Sequence, residues 1–408
     1  MPFYTLLFSE HGMRFLNSDI CEDIYMNKLL LLYWGSALLM YLSQFYFPVQ
    51  QRNGHRQIGH NHFLLQRFDI FVFIVIAWMT CFSFLRKSYN DTGTYIVGFN
   101  SVVSVAEGIK EGVFTDWTGN PLSMLYRSVV HELTDNYHIY FFFPAFLNSF
   151  AVTKLFKQYS VNPAMSLLIM FSIGTYCMYI AAMKQCLAVF FLIAAIPYAI
   201  DRKYIRFYAL VFIAILFHTH AFMFAIVPLL MEKPWGKFSW ILLGLTLFAM
   251  ATYNVTLGAF MRYAQSLGAL VAEDEVFDGH QINALRVAVY WVPALLALIF
   301  RRRLFYNSTP AENVFVNMSI ASAFILSIGL VEGANLYARM AGYFEIATAV
   351  ALPWIIKKLF TRQSAKFVTI AATVLYFGYF YFEFAITKDF GSEYSAITLW
   401  EFFRSLLR

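Results

Sequence analysis

Basic, imidazole, carboxylate and phenol side chains recur along this chain wherever an otherwise apolar sequence pauses. Arg86, Lys87, Asp91 and Tyr95 come first, then Arg127, His131 and Glu132. Lys184 and Gln185 follow, then His218 and His220, and finally Arg262, Tyr263, Arg286, Glu332, Asn335, Arg339 and Tyr343. A reaction that suits such a set is transfer of a sugar from a polyprenyl pyrophosphate. Arginine and lysine stabilise the charge that grows on a leaving pyrophosphate without a metal, and a histidine or carboxylate takes the proton of the attacking hydroxyl. Lys184, Arg286 and Arg339, joined by Arg86, Arg127 and Arg262, are the expected pyrophosphate cradle, with Glu332 among the substrate contacts. His218 is the candidate base and Asp91 its competitor.

Each of these residues alone has a plainer explanation. An arginine or lysine at a helix end usually snorkels toward lipid headgroups, and a histidine on an apolar helix usually packs with a hydrogen bond. Glu345, set between Phe344 and Ile346, would ordinarily pair with a nearby base. As an ensemble they are harder to set aside, because charge within apolar helix ends is costly in lipid. Lys184, Arg286, Arg339 and Glu345 are therefore expected to face a shared polar interior. His218 and His220 would point to opposite sides of a regular helix, a poor arrangement for metal. No HExxH, Walker loop or GxSxG occurs, and no cofactor is implied. Cys21, Cys81, Cys177 and Cys186 form no CxxC pair and read as packing residues.

The elements that must position these groups follow from composition. The 408 residues are 60% hydrophobic, 19% aromatic and only 13% charged, about half the charge of a soluble domain. Apolar stretches of roughly 17 to 22 residues match the hydrocarbon thickness a helix must cross. They lack the alternation of barrel strands, so an all-α polytopic membrane protein is expected. Spans fall near 28–48, 69–85, 138–153, 163–181, 186–200, 238–258, 283–300, 313–331, 339–356 and 366–386. Residues 205–231 are too long for one straight span and too short for two full ones, and Phe217-His218-Thr219-His220 interrupts them.

Charge decides how to read that segment. As a hairpin of two short arms it leaves more than half of the 30 basic residues, including Arg301-Arg302-Arg303 and Lys357-Lys358, in short inner loops. As a single crossing it would send both clusters outside. The hairpin gives about twelve passes and places both termini outside. The expected organisation is an outer segment 1–27, one membrane domain 28–386 with a large outer loop 86–137, and an outer amphipathic tail 387–408. The net charge of +6 then belongs to membrane topology, with no basic stripe for nucleic acid.

Several short motifs occur in a specific order: Asp91-Thr92-Gly93-Thr94-Tyr95, Asn120-Pro121-Leu122-Ser123-Met124-Leu125, Met183-Lys184-Gln185-Cys186-Leu187-Ala188, Leu216-Phe217-His218-Thr219-His220-Ala221 and Arg339-Met340-Ala341-Gly342-Tyr343-Phe344. From about residue 69 to 360 the chain resembles the EpsG-type family of bacterial repeat-unit polymerases, grouped functionally with the Wzy polymerases. The resemblance marks Asp91, Tyr95, Gln185, His218, Arg339 and Tyr343 as matching positions, and it departs at Lys184, where an arginine is usual. Lysine keeps the charge but loses the bidentate fork. The family implies assembly of exopolysaccharide, capsule or O-antigen at the outer face of a bacterial plasma (inner) membrane. Its partners would be a polyprenyl-pyrophosphate-linked oligosaccharide, membrane lipids, a chain-length regulator and a flippase. A lipid-linked-sugar glycosyltransferase or O-antigen ligase shares the chemistry with a different acceptor. A polysaccharide-lipid flippase or other transporter is the reading from another class, although transporters place their sites near the midplane.

Overall fold

A computed structural model describes residues 10–47, 69–116, 119–253, 255, 280–387 and 394–407, with side chains from residue 26 onward. Helices dominate: α1 (Glu10–Tyr46), α2 (Ile70–Phe84), α3 (Thr92–Asn100), α4 (Val105–Lys110), α5 (Pro121–Leu133), α6 (Tyr137–Tyr159), α7 (Pro163–Ser172), α8 (Thr175–Ala181), α9 (Met183–Ile200), α10 (Tyr204–Phe217) and α11 (Lys237–Ala251). Beyond the next described boundary come α12 (Ala284–Ile299), α13 (Arg301–Leu304), α14 (Pro310–Ile328), α15 (Ala334–Ala341), α16 (Ile346–Leu359), α17 (Arg362–Tyr381) and α18 (Leu399–Leu406). The chain is an all-α polytopic membrane protein. Among the described residues, five helices are long and apolar enough to cross a membrane, and a sixth span results if α7 and α8 count as one. Apolar faces such as Phe367, Ile370 and Val374 on α17 stay uncovered, at helical spacing, where lipid would meet them.

The two ends of the bundle carry different locks. Asp69 caps α2 and receives Lys157 of α6 at 3.1 Å, while Ser43 of α1 donates to the same carboxylate at 2.6 Å. At the opposite end of the same helix pair, His138 Nδ1 meets the Phe84 carbonyl at 2.9 Å. Around that second end the expected loop 86–137 is a helical layer, α3 to α5, with Ser104 capping α4 and Pro121 opening α5. The tail reaches the same end. Strand β1 (Arg86–Ser88) pairs antiparallel with β2 (Ser395–Ala396), and Phe402 of α18 packs edge-on against Phe84.

Two expected straight spans are broken. In 163–181 the helix stops at Ile173, Gly174 takes a left-handed φ of 76°, and α8 leaves at 60° to α7. The Tyr290 hydroxyl donates to the freed Ile173 carbonyl at 3.0 Å, so the break is satisfied within protein. In 339–356 the helix unwinds between Ala341 and Ile346, separating α15 from α16.

Residues 205–231 fold back on themselves. After α10 the chain turns at His218 and returns as a 3-10 segment, Thr219–Met231. The arms run antiparallel, with Phe207 stacked on Phe224 and the Tyr208 hydroxyl donating to the Ala225 carbonyl. A 3-10 helix rises about 2.0 Å per residue, so these 13 residues reach about 26 Å, further than an α-helix of that length would. That stretch is how so short a segment makes two arms.

Candidate functional site

The cluster begins at the break of the hairpin. His218 ends α10 with extended backbone, and its Nδ1 lies 2.5 Å from the Tyr343 hydroxyl, which the unwound turn between α15 and α16 presents. Asn120 holds the break from outside. It sits in a left-handed conformation (φ 58°), which asparagine tolerates, and its Oδ1 accepts from the backbone and hydroxyl of Thr219 at 2.9 and 3.2 Å. The sequence analysis used Asn120-Pro121 only as a mark of resemblance. Its site signal is an asparagine immediately before a helix-opening proline, a turn-forming pair.

The last turn of α15, just before that unwound stretch, carries Arg339, 3.7 Å from Asp91 at the start of α3. Gln185, only 1% exposed, donates its amide to the Arg339 carbonyl at 2.8 Å. That contact needs Gly342, since a Cβ there would stand 2.7 Å from Gln185 Nε2. Tyr95, on α3, lies close to the Lys184 backbone amide and within electrostatic reach of Asp91, Arg339 and Arg86. Burial raises the Tyr95 phenol above its ordinary range, against the Lys184 amide, which lowers it. The hydroxyl therefore stays protonated and can donate to an anion. Lys184 in turn lies within electrostatic reach of Arg127, and His218 of both Lys184 and Arg339. The structure thus gathers Asp91, Tyr95, Arg127, Lys184, Gln185, His218, Arg339 and Tyr343. Three of these are cations and one is a carboxylate, a balance that favours a dianionic ligand.

A model of the EpsG family matches residues 69–397. The chain belongs to the EpsG family. The matched stretch runs from the Asp69 cap of α2 to just past the β2 strand that pairs with β1, so every described member of the cluster lies within this EpsG region. No curated protein matches the chain, and no solved structure does.

Of the expected members of the EpsG site, Arg86, Arg286 and Glu332 stand apart. Arg86 is 2% exposed and turned inward, with its Nε donating to Thr92 at 3.0 Å, Nη1 to the Ser83 carbonyl at 2.5 Å, and its guanidinium 4.1 Å from the Phe141 ring. Burial pulls this group down to about 10, which still leaves it charged at neutral pH. It ties the end of α2 to the start of α3 and to α6. Arg286 faces Glu345 at 3.9 Å, and Glu345, wholly buried, also accepts from Thr175 at 3.2 Å. The interior expected to be shared by Lys184, Arg286, Arg339 and Glu345 is therefore divided, with Arg286 facing Glu345 and Arg339 facing Asp91. Glu332 is half-buried ahead of α15 and forms no hydrogen bond or ion pair with the cluster. Arg262 lies outside the described residues. Among the described residues, no three His, Cys, Asp or Glu side chains gather around a metal position.

Proposed function

We propose that this protein joins polyprenyl-pyrophosphate-linked oligosaccharide repeats into a longer polysaccharide at the outer face of a bacterial plasma membrane. The observation that carries the reading is the meeting of His218, Tyr343, Arg339, Asp91, Lys184 and Gln185 at two helix breaks, within a region that matches the EpsG family. Lys184, Arg339 and Arg127 offer positive charge to a pyrophosphate, and Tyr95 offers a hydroxyl donor. An acceptor hydroxyl attacks the anomeric carbon of the donor sugar. The bond from that carbon to the pyrophosphate oxygen breaks, the leaving group departs as the polyprenyl pyrophosphate anion, and the hydroxyl proton passes to His218 Nε2. The reading takes about twelve passes with both termini outside, a topology in which the cluster faces the outer surface.

Purified protein in liposomes, given a defined polyprenyl-pyrophosphate oligosaccharide, is expected to yield a ladder of products spaced by one repeat. Transfer of a single unit to a different acceptor would instead mark a ligase or simple transferase. Movement of intact lipid-linked sugar across the bilayer, without new linkages, would mark a transporter.

A further inference from the structure

The tail helix α18 is two-sided. With about 3.6 residues per turn, Ser405, Phe402, Leu406, Leu399 and Phe403 follow one another round its surface in that order, and Glu401 and Arg404 lie opposite the last three. Of its eight residues only Phe402 is buried, while Leu399, Phe403 and Leu406 are 46, 54 and 46% exposed. A continuous apolar stripe of this kind marks a surface that meets something other than water. Two contacts fix where the stripe points. Ser405 accepts from the side-chain amide of Asn136, the N-cap of α6, at 2.7 Å. Phe402 packs edge-on against Phe84 and His138, and the Phe84 ring reaches on to Phe142. His138 and Phe142 lie about 3 and about 9 Å further along α6 than Asn136, at the α-helical rise. Since α6 is long and apolar enough to cross a membrane, passing round α18 from Ser405 to Phe402 leads toward the bilayer. Leu406, Leu399 and Phe403 come next in the same sense and face further in.

We propose that α18 lies flat on the bilayer at this end of the bundle, with Leu399, Phe403 and Leu406 sunk among phospholipid chains and Glu401 and Arg404 in water. Through Phe84 the stripe joins the aromatic side of α6, where Phe142 stacks on Phe146, Phe146 stacks on Phe150, and Phe143 and Phe146 are uncovered. That continuity with a lipid-facing helix names phospholipid as what covers it. Arg404 lies 5.0 Å over the Trp400 ring at the edge of the stripe. The pair suits the headgroup layer, where arginine meets phosphate and indole sits between water and hydrocarbon. An anchored α18 also steadies β2, which shortly precedes it, and the adjoining Ile397, whose amide donates to the Leu85 carbonyl at 2.9 Å. The inference rests on α6 crossing the membrane and not on the polymerase reading.

The test uses full-length protein in phospholipid nanodiscs that hold one copy each, with the four native cysteines replaced and a nitroxide attached at one position at a time. Accessibility of the label to oxygen, which concentrates in lipid, and to a nickel chelate, which stays in water, reads depth. Labels on Leu399→Cys, Phe403→Cys and Leu406→Cys are expected to meet oxygen, exclude nickel and report a depth of about 5–10 Å in the headgroup and acyl boundary. Labels on Glu401→Cys and Arg404→Cys are expected to meet nickel freely. Thermal midpoints show whether each variant folds. Should the cysteine-free protein fail to, brominated phospholipid around protein with its native cysteines is expected to quench the fluorescence that Trp400→Phe removes. Free access of nickel at Phe403→Cys would place the stripe in water, and low access of both reagents there would mean that protein covers it. Either result, or Trp400 fluorescence untouched by brominated phospholipid, would overturn the proposal. Polymer formation is not among these readouts, so a wild type that makes no polymer would leave the result standing.

Discussion

The hydrogen bond between Tyr343 and His218 determines which imidazole nitrogen can act. Nε2 is available to take a proton only when hydrogen resides on Nδ1, and Nδ1–H then donates to the phenol oxygen 2.5 Å away. His218→Gln is expected to reduce polymer formation by roughly 10²-fold with protein level and donor binding intact. Tyr343→Phe should reduce turnover about threefold to tenfold, the share of one neutral hydrogen bond. Initial rates in the liposome assay check both, and a normal rate for His218→Gln, together with loss in Asp91→Asn, would move the base to Asp91. Lys184→Ala and Arg339→Ala should each weaken donor binding and turnover by about 1.5–3 kcal/mol while the fold survives. Arg86 behaves differently, since its hydrogen bonds go to Ser83 and Thr92. Arg86→Ala is expected to lower stability by about 3 kcal/mol, with activity lost alongside the thermal midpoint. That a charge was present at Arg86, Arg286 and Arg339 was legible from the sequence. Which of them turns inward depends on distant partners such as Phe141 and Glu345, and no local spacing reveals those.

At the scale of elements, the site is built from interruptions. The break at His218 was readable because a polar pair interrupts an apolar run and because the basic clusters required a return. The breaks at Gly174 and at 342–345 were not, since each rests on a tertiary acceptor or donor: Tyr290 for the Ile173 carbonyl, and Gln185 for that of Arg339. Gly342 has an ordinary φ of −54°, so its requirement is space alone. Gly342→Ala should displace Gln185 and lower turnover without unfolding the bundle, with Gln185→Ala giving a similar loss and the double variant adding little beyond either. The tail helix gives a pH-dependent expectation. The Thr398 amide and hydroxyl hold the exposed Glu401 carboxyl below its ordinary 4.5. A lowered folded value means that the capping contribution is complete above 4.5 and is lost as the pH falls through the folded value. Hydrogen exchange at the Glu401 amide, which donates to Thr398, should therefore rise in acid beyond its intrinsic rate change, and Glu401→Gln should flatten that response.

For the whole molecule, the all-α membrane architecture was legible from composition and run length, and the return of 205–231 from the distribution of charge. The pairing of chain segments across the bundle was not. The hairpin makes a direct topological prediction. Asn313 and Asn317, in the N-terminal half of α14, donate to the Met231 carbonyl and to the Leu230 and Glu232 carbonyls, and α14 follows the arginine-rich α13. Lys233, exposed just past the second arm, should therefore lie on the inner side. Lys233→Cys, with the four native cysteines replaced, is expected to resist an impermeant thiol reagent in intact cells and to react after permeabilisation. Gly236 is a poorer probe, because a Cβ there would press on the Lys233 carbonyl at 2.9 Å. The contact between Ser88 and Ser395, 307 residues apart, has a consequence in time. At roughly 5–20 residues per second of synthesis, β2 emerges about 15–60 s after β1, and until then β1 offers an unpaired edge, which the proposed topology puts at the cell exterior. A nascent chain stalled near residue 390 should be cut by external protease around 86–90, and release of the finished chain should end that sensitivity.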